Sequence, residues 1–189
     1  MAARIIFLNG APSAGKSSTA RALQQRLDEP HFYLGLDEFR RGYLDRVWLA
    51  DHGDLFQRTV RGYLPMLAAM VRAGHPVIAE AILTPQNEAL YLDLFDGLPV
   101  IFVGLTCDLE VAQARESVRN DRRRGPMDLD QPDLHTLHDH GCYDLTVDTS
   151  RIPVEQVVDR ILPVLADPPE PSAFDRLRQR PTAQGGPGR

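Results

Sequence analysis

Short apolar runs alternate along the chain with longer segments in which apolar residues recur every three or four positions. Residues 4–9 are rich in β-branched and aromatic side chains, which is typical of a buried central strand. Similar runs occupy 32–36, 76–79, 100–106 and 143–147, and helical periodicity covers 17–27, 38–49, 55–73, 85–95, 109–122 and 154–165. This alternation predicts an α/β fold, with a five-stranded parallel sheet covered by helices on both faces.

The chain changes character after residue 166. Residues 167–189 contain five of the fifteen prolines and three glycines, without a periodic apolar pattern. We therefore predict one domain, residues 1–166, followed by a flexible tail, residues 167–189, that is rich in Pro, Gly and Arg and lies outside the fold.

A phosphate-binding motif lies between the first predicted strand and the first predicted helix. The segment from Gly10 to Ser17 matches G-x-x-x-x-G-K-[ST], and Lys16 is the one lysine among 21 basic residues. In such a P-loop, backbone N–H groups and the helix N-terminus cradle phosphates. Lys16 is expected to reach the β- and γ-phosphates, and the Ser17 hydroxyl to ligate Mg²⁺. The predicted nucleotide-binding residues are Gly10, Ala11, Pro12, Ser13, Ala14, Gly15, Lys16, Ser17 and Ser18.

The nucleotide is predicted to be ATP. Guanine-specific P-loop proteins usually read the base with an Asn-Lys-x-Asp motif, which needs a second lysine, and this chain has none.

Two carboxylates lie where predicted strands end. Because the carboxyl ends of parallel strands form the ligand crevice, Asp37 is placed to orient an acceptor hydroxyl and to accept its proton. The alternative for Asp37 is to cap the N-terminus of the next helix. Glu80 suits a carboxylate that holds Mg²⁺ through water or contacts the acceptor, or a strand-end acid with no such role.

Arginines cluster at 115–124. Arg115, Arg119 and Arg122 share one face of a predicted helix that ends before Gly125 and Pro126. We predict that Arg119 and Arg122 belong to a lid that closes over the polyphosphate and stabilises the transferring charge. A solvated, basic helix end is the alternative.

Residues 39–63 contain five of the chain's aromatic side chains. Three of them, Phe39, Tyr43 and Trp48, are candidates for the apolar wall of an acceptor pocket, with an ordinary helix core as the equal alternative. The other two, Phe56 and Tyr63, are assigned to the core.

Histidines and a cysteine cluster just before the last predicted strand. The spacing of His135, His138, His140 and Cys142 matches no common structural zinc arrangement, so a metal site is not predicted there. We expect His140 to be at the surface and His138 to help shape the nucleotide or lid region.

Several of these segments together resemble the chloramphenicol phosphotransferase family of P-loop kinases, over most of residues 4–165. The segments that carry the resemblance are residues 5–10 with the adjoining 13–17, residues 35–37, residues 103–108, residues 115–122, and His138 together with residues 143–149. It implies ATP-dependent phosphorylation of a primary hydroxyl on chloramphenicol or a similar small molecule.

The resemblance also implies roles for individual residues. Asp37 matches the general base of the family, Arg119 and Arg122 match its lid arginines, and Glu80 aligns with an acidic residue there. The segment between Asp37 and Pro76, which supplies much of the acceptor pocket, is shorter here than in the antibiotic-modifying member, so the acceptor stays open.

Composition and charge restrict the partners and the cellular compartment that the sequence predicts. A net charge of −5 argues against nucleic-acid partners, two cysteines are typical of a reducing cytoplasm, and the apolar runs are too short to cross a membrane. The sequence predicts a cytoplasmic ATP- and Mg²⁺-dependent enzyme with a small-molecule acceptor. A kinase of another acceptor, such as a nucleotide-sugar in the manner of zeta toxins, and an ATP-binding regulator without an acceptor remain alternatives.

Overall fold

In the computed structural model, residues 4–40, 42, 53–118 and 132–180 are described. Five parallel strands form one sheet in the order β2-β3-β1-β4-β5. They are β1 (Ile5–Asn9), β2 (Phe32–Tyr33), β3 (Val77–Ala81), β4 (Val100–Thr106) and β5 (Leu145–Asp148). The predicted α/β fold with a five-stranded parallel sheet is confirmed.

Eight helices are numbered here along the described residues. They are α1 (Lys16–Arg26), α2 (Leu36–Arg40), α3 (Gly53–Arg72), α4 (Glu88–Leu94), α5 (Leu109–Ser117), α6 (Pro132–His135), α7 (Val154–Ala166) and α8 (Ala173–Arg178). The predicted helix 38–49 begins earlier, at Leu36, and residues 41 and 43–49 lie outside the described residues. The predicted helix 109–122 is seen as α5, and residues 119–122 also lie outside them.

The continuous apolar run of β1 reflects burial on both faces of the sheet. Ile5 and Phe7 pack in a cluster that includes side chains of α3, α4 and α8, whereas Ile6 and Leu8 pack in a second cluster with α1 and α7. A central parallel strand has no solvated face, so its residues do not alternate between apolar and polar.

The C-terminal segment corrects the prediction of a tail outside the fold. Helix α8 begins with a capping box between Ser172 and Asp175, and it buries Phe174 against Phe7, Phe95 and Phe102. Because α8 is only six residues long, its apolar positions are too few to produce a periodic pattern in the sequence. The expectation of a flexible tail is wrong for residues 167–180, and residues 181–189 lie outside the described residues.

Strand order decides where the chain can bind a ligand. The connections from β1 to β2 and from β3 to β4 run to opposite sides of β1, so the sheet has its topological switch point beside β1. Ligands of open α/β sheets bind at the carboxyl ends of the strands at such a point. Among the described helices, none is both long and apolar enough to cross a membrane.

Candidate active site

The P-loop follows β1 at the switch point, and its shape depends on two glycines. A Cβ at Gly10 would lie 2.5 Å from the backbone oxygen of Leu105 on β4, so only glycine allows the loop to approach that strand. Gly15 has a φ of 90°, in the left-handed region that favours glycine. These two positions are the first and second glycines of the motif.

Helix α1 begins at this loop with its first N–H groups directed toward the motif. Gly15 occupies the N-cap position and offers no side-chain cap, and no acidic residue lies in the first turn. An uncapped helix N-terminus of this kind attracts anions. The Lys16 ammonium donates to the backbone oxygens of Gly10 (2.8 Å) and Ala11 (2.9 Å), which keeps the cation within the loop.

Side chains from α5 and from the residue that follows β5 support the loop from the other side. The Thr149 hydroxyl donates to the backbone oxygen of Ala14 at 3.0 Å, and the Arg115 guanidinium donates to the backbone oxygens of Thr149 (2.6 Å) and Ser13 (3.4 Å). The Ser13 hydroxyl donates to Glu116, which is itself buried. Arg115 therefore supports the loop, a role that its helical spacing with the other arginines did not reveal.

A carboxylate–hydroxyl cluster forms where β3 ends beside the P-loop. The Ser17 hydroxyl donates to Glu80 at 2.9 Å, and the Tyr33 hydroxyl donates to the same carboxylate at 3.1 Å. A Cβ at Gly35 would lie 2.6 Å from the Glu80 carboxylate, so any larger residue there would displace that side chain. Burial, and then the charge of Glu80, raise the pKa of Tyr33, which keeps its hydroxyl protonated as a donor. Sequence reasoning missed Tyr33, because a lone tyrosine in a two-residue strand gives no signal.

The position of Asp37 in helix α2 separates its two predicted roles. Gly35 is the N-cap residue, since its backbone oxygen accepts from Phe39 at 2.9 Å and its N–H donates to the Glu38 carboxylate at 3.2 Å. Asp37 follows in the first turn with an exposed side chain that lines the cleft. The N-cap interpretation of Asp37 is therefore wrong. Glu38 fills the capping role, and it also pairs with Arg21.

A cleft of about 1100 Å³ spans the carboxyl edge of the sheet and joins these groups. On the β5 side it is lined by Pro12, Ser13, Arg115, Thr149, Ile152, Pro153, Val154 and Val157, and on the β2–β3 side by Tyr33, Leu36, Asp37, Val60, Tyr63, Leu64, Ile82, Thr84, Gln86, Asn87 and Tyr91. Lys16 and Ser17 lie between the two sides. The shape and chemistry suit two ligands that meet at the P-loop.

The predicted aromatic pocket is only partly visible. Phe39 packs on the core, with its ring 5.5 Å from that of Tyr63, while Tyr63 both fills the core and lines the cleft. Tyr43 and Trp48 lie outside the described residues, as do Arg119 and Arg122. Their predicted roles stay predictions.

The histidine segment does not resemble a metal site. Within the described ranges, no group of three or more His, Cys, Asp or Glu side chains is arranged to hold a metal ion. His140 is buried, with 3% of its surface exposed, which corrects the expectation of a surface residue. Its ring stacks on Phe102 at 5.3 Å, a contact that spacing along the chain cannot reveal.

The sheet order, the P-loop at its switch point and the cleft beside it define a P-loop NTPase fold. The chain belongs to the chloramphenicol phosphotransferase-like family, whose model matches residues 3–166. It is 27% identical over 202 residues to a Mycobacterium tuberculosis protein that carries the provisional name O-phosphotransferase, across 94% of this chain and 88% of that protein.

Two solved structures share the fold at low identity. The Mycobacterium tuberculosis APS kinase in complex with AMPPNP and APS matches with a TM-score of 0.67 and 16% identity, over 87% of this chain and 98% of that one. A sugar kinase from a Janibacter species matches with a TM-score of 0.61 and 22% identity, over 87% and 95% of the two chains.

Proposed function

We propose that this protein is an ATP-dependent O-phosphotransferase that modifies a hydroxyl of a small molecule, chloramphenicol or a similar antibiotic. One observation carries the proposal: Lys16 of the P-loop and the exposed carboxylate of Asp37 line the same cleft. The family membership supports phosphoryl transfer, and the resemblance to antibiotic-modifying kinases supports the choice of acceptor.

The proposed reaction uses the two sides of the cleft separately. ATP binds with its phosphates on the P-loop and its base toward the apolar wall of Ile152 and Pro153. The acceptor hydroxyl lies on the β2–β3 side and donates its hydrogen bond to Asp37. Its oxygen bonds to the γ-phosphorus, the bond from that phosphorus to the bridging oxygen of ADP breaks, and Asp37 takes the proton. Lys16 stabilises the charge on the phosphate oxygens.

The Ser17–Glu80 pair fits a magnesium ion. Mg²⁺ prefers oxygen ligands and is usually held by one or two carboxylates, waters and substrate phosphates, and here a hydroxyl and a carboxylate lie 2.9 Å apart beside the loop. Ser17 would bind the ion directly and Glu80 through water. A bound Mg²⁺ neutralises negative charge on the β- and γ-phosphates.

Four further residues complete the proposal from sequence alone. Arg119 and Arg122 are proposed to contact the polyphosphate, and Tyr43 and Trp48 to contact the acceptor. Phe39 is proposed to support this pocket through its packing on Tyr63.

A pair of variants tests the proposal. We expect Asp37→Asn to lower kcat about 10²- to 10³-fold while the Kd for Mg·ATP changes less than about threefold, because the amide cannot take the proton. Lys16→Ala should weaken Mg·ATP binding at least about tenfold and also abolish transfer, because it removes the cation from the phosphates. Calorimetry gives Kd, and phosphorus NMR of reactions with chloramphenicol follows transfer.

Controls separate the acceptor from the chemistry. A chloramphenicol analogue with its primary hydroxyl blocked should yield no phosphorylated product. Transfer to other small alcohols but not to chloramphenicol would overturn the antibiotic assignment alone. ATP hydrolysis that no alcohol stimulates would instead support the alternative of an ATP-binding regulator without an acceptor. Near-normal transfer by Asp37→Asn would show that Asp37 is not the general base.

A further inference from the structure

A buried polar network, separate from the groups used above, lies at the end of β1. Asn9 is fully buried, and its side-chain amide donates to the backbone oxygen of Leu83 at 3.0 Å and to the Tyr143 hydroxyl at 2.8 Å. The Asn9 carbonyl accepts from the Leu83 N–H at 2.8 Å. The Tyr143 hydroxyl also lies 2.7 Å from His138 Nδ1 and 2.9 Å from His140 Nε2.

Counting protons gives one arrangement in which every group is satisfied with both rings neutral. His140 Nδ1 accepts from the Cys142 N–H, so His140 carries its proton on Nε2 and donates to Tyr143. The Tyr143 hydroxyl then accepts hydrogen bonds from both Asn9 and His140, and it donates its own hydrogen bond to His138 Nδ1. The Tyr143 hydroxyl is thus the shared centre of the network, and none of its bonding capacity remains unused.

Leu83 connects this network to the wall of the cleft. The loop 82–87 contributes Ile82, Thr84 and Asn87 to the lining on the β2–β3 side. It is held internally by Asn87, whose side chain accepts from Thr84 N–H at 2.8 Å and donates to the Ile82 oxygen at 3.0 Å. Because the loop 82–87 is a closed unit, its two hydrogen bonds to Asn9 fix the position of the lining residues that it carries.

We propose that Tyr143 is a positioning residue that orients the Asn9 amide and thereby holds the loop 82–87 against β1 as the acceptor wall of the cleft. The acceptor part of this inference rests on the proposed function, whereas the positioning of the loop does not. The Tyr143 ring packs against Phe102, with centroids 4.6 Å apart, and covers Gly104, where a Cβ would lie 2.7 Å from it. Tyr143→Phe therefore keeps the packing and removes only the hydroxyl.

Hydrogen exchange on the ligand-free protein tests the contact without knowledge of the acceptor. We expect Tyr143→Phe to speed exchange of the Leu83 amide about tenfold, because the Asn9 side chain loses one of its restraints. Amides of helix α1 should exchange at the wild-type rate. With Mg·ATP and chloramphenicol, KM for the acceptor should rise several-fold, while kcat and KM for ATP stay within about twofold.

A double variant tests whether Tyr143 acts through Asn9. In an Asn9→Ala background, adding Tyr143→Phe should change neither loop exchange nor acceptor KM any further. The control for a general loss of stability is Val158→Ala, which creates a cavity in the core cluster on the other face of the sheet. This variant should leave exchange of the Leu83 amide unchanged.

The outcomes separate this inference from the proposed function. Wild-type exchange at Leu83 in Tyr143→Phe overturns the inference, as does an equal effect of that change with and without Asn9. Faster exchange at Leu83 without any phosphorylated product keeps the positioning role and rejects the proposed acceptor chemistry.

Discussion

The backbone of the P-loop and the carboxylate of Glu80, which lie toward opposite sides of the cleft, are held by different kinds of hydrogen bond. On the β5 side, Thr149 and Arg115 donate to backbone oxygens of the P-loop. On the β2–β3 side, side chains bond to one another: Ser17 and Tyr33 share the carboxylate of Glu80. The first side is therefore a main-chain cradle with outside support, and the second is a set of side chains whose identity matters.

This difference matches the two ligands that a kinase must hold. Phosphates are common to all nucleotides and are bound by main-chain N–H groups, so the cradle needs the correct backbone shape above all. An acceptor is recognised by particular side chains in particular places. Damage to the β5 side should therefore act on nucleotide binding, and damage to the β2–β3 side on transfer.

The largest effect should come from adding one methyl group to the cradle. Gly10→Ala places a Cβ 2.5 Å from the Leu105 backbone oxygen, so the loop must shift away from β4. We expect the free energy of unfolding to fall by about 2–3 kcal/mol and Mg·ATP binding to weaken at least about tenfold. Urea unfolding and calorimetry measure the two effects.

The matched control is a glycine with open space around it. A Cβ at Gly62, within helix α3, meets nothing within 4 Å. Gly62→Ala should stabilise the protein by about 0.5–1 kcal/mol, because alanine favours the helix, and leave ATP binding unchanged. Equal behaviour of the two variants would mean that the approach of Gly10 to β4 does not shape the loop.

Removing one hydroxyl from each side compares them directly. Thr149→Val should cost about 1–2 kcal/mol of stability and raise the Kd for Mg·ATP, because the Ala14 oxygen loses its donor. Tyr33→Phe should leave that Kd within about twofold but raise the Mg²⁺ concentration for half-maximal transfer about threefold to tenfold, because Glu80 loses an orienting donor. The contrast between the sides fails if both variants weaken ATP binding equally.

The sequence predicted the cradle better than the acceptor side, for a physical reason. The P-loop is local: its two glycines, Lys16 and Ser17 lie within eight residues, so their spacing encodes their geometry. The five-stranded parallel sheet and the place of Asp37 at a strand end followed from the alternation of strands and helices, whereas the order of the strands did not. Tyr33 and Tyr143 act through contacts across 47 and 134 residues, to Glu80 and Asn9, which no local pattern records.

The same limit explains the errors at the C-terminus and in the histidine segment. Helix α8 is held by long-range contacts, including the Asp144 carboxylate, which accepts from the Ala173 N–H at 2.6 Å. In the sequence this segment is marked mainly by its prolines, which favour loops. His140 is buried by aromatic neighbours on β4 and near β5, so a run of polar residues around it predicted exposure wrongly.

The smallest expected effect is a dependence of stability on pH that arises at His140, which is connected to Leu83 of the β2–β3 side through Tyr143 and Asn9. Burial lowers the pKa of His140 to about 4, with charge on His138 and Arg180 adding to the effect. The unfolded chain binds a proton near the ordinary pKa of about 6.5 while the folded chain does not, so stability falls as the pH drops from about 6.5 toward about 4. Protonation of His140 Nδ1 would also remove the acceptor of the Cys142 N–H.

We expect His140 to contribute a loss of about 1 kcal/mol between pH 7 and pH 5.5, measured as the difference in urea-unfolding free energy between wild type and His140→Gln at each pH. His75→Gln, at an exposed position, should keep the wild-type slope.

If the hydrogen bonds to Tyr143 hold the acceptor wall, exchange of the Leu83 amide should accelerate over the same pH range, after correction for the intrinsic exchange rate, while helix α1 stays protected. A uniform acceleration across both regions would show instead that acid loosens the whole fold, and that the two sides of the cleft do not respond separately.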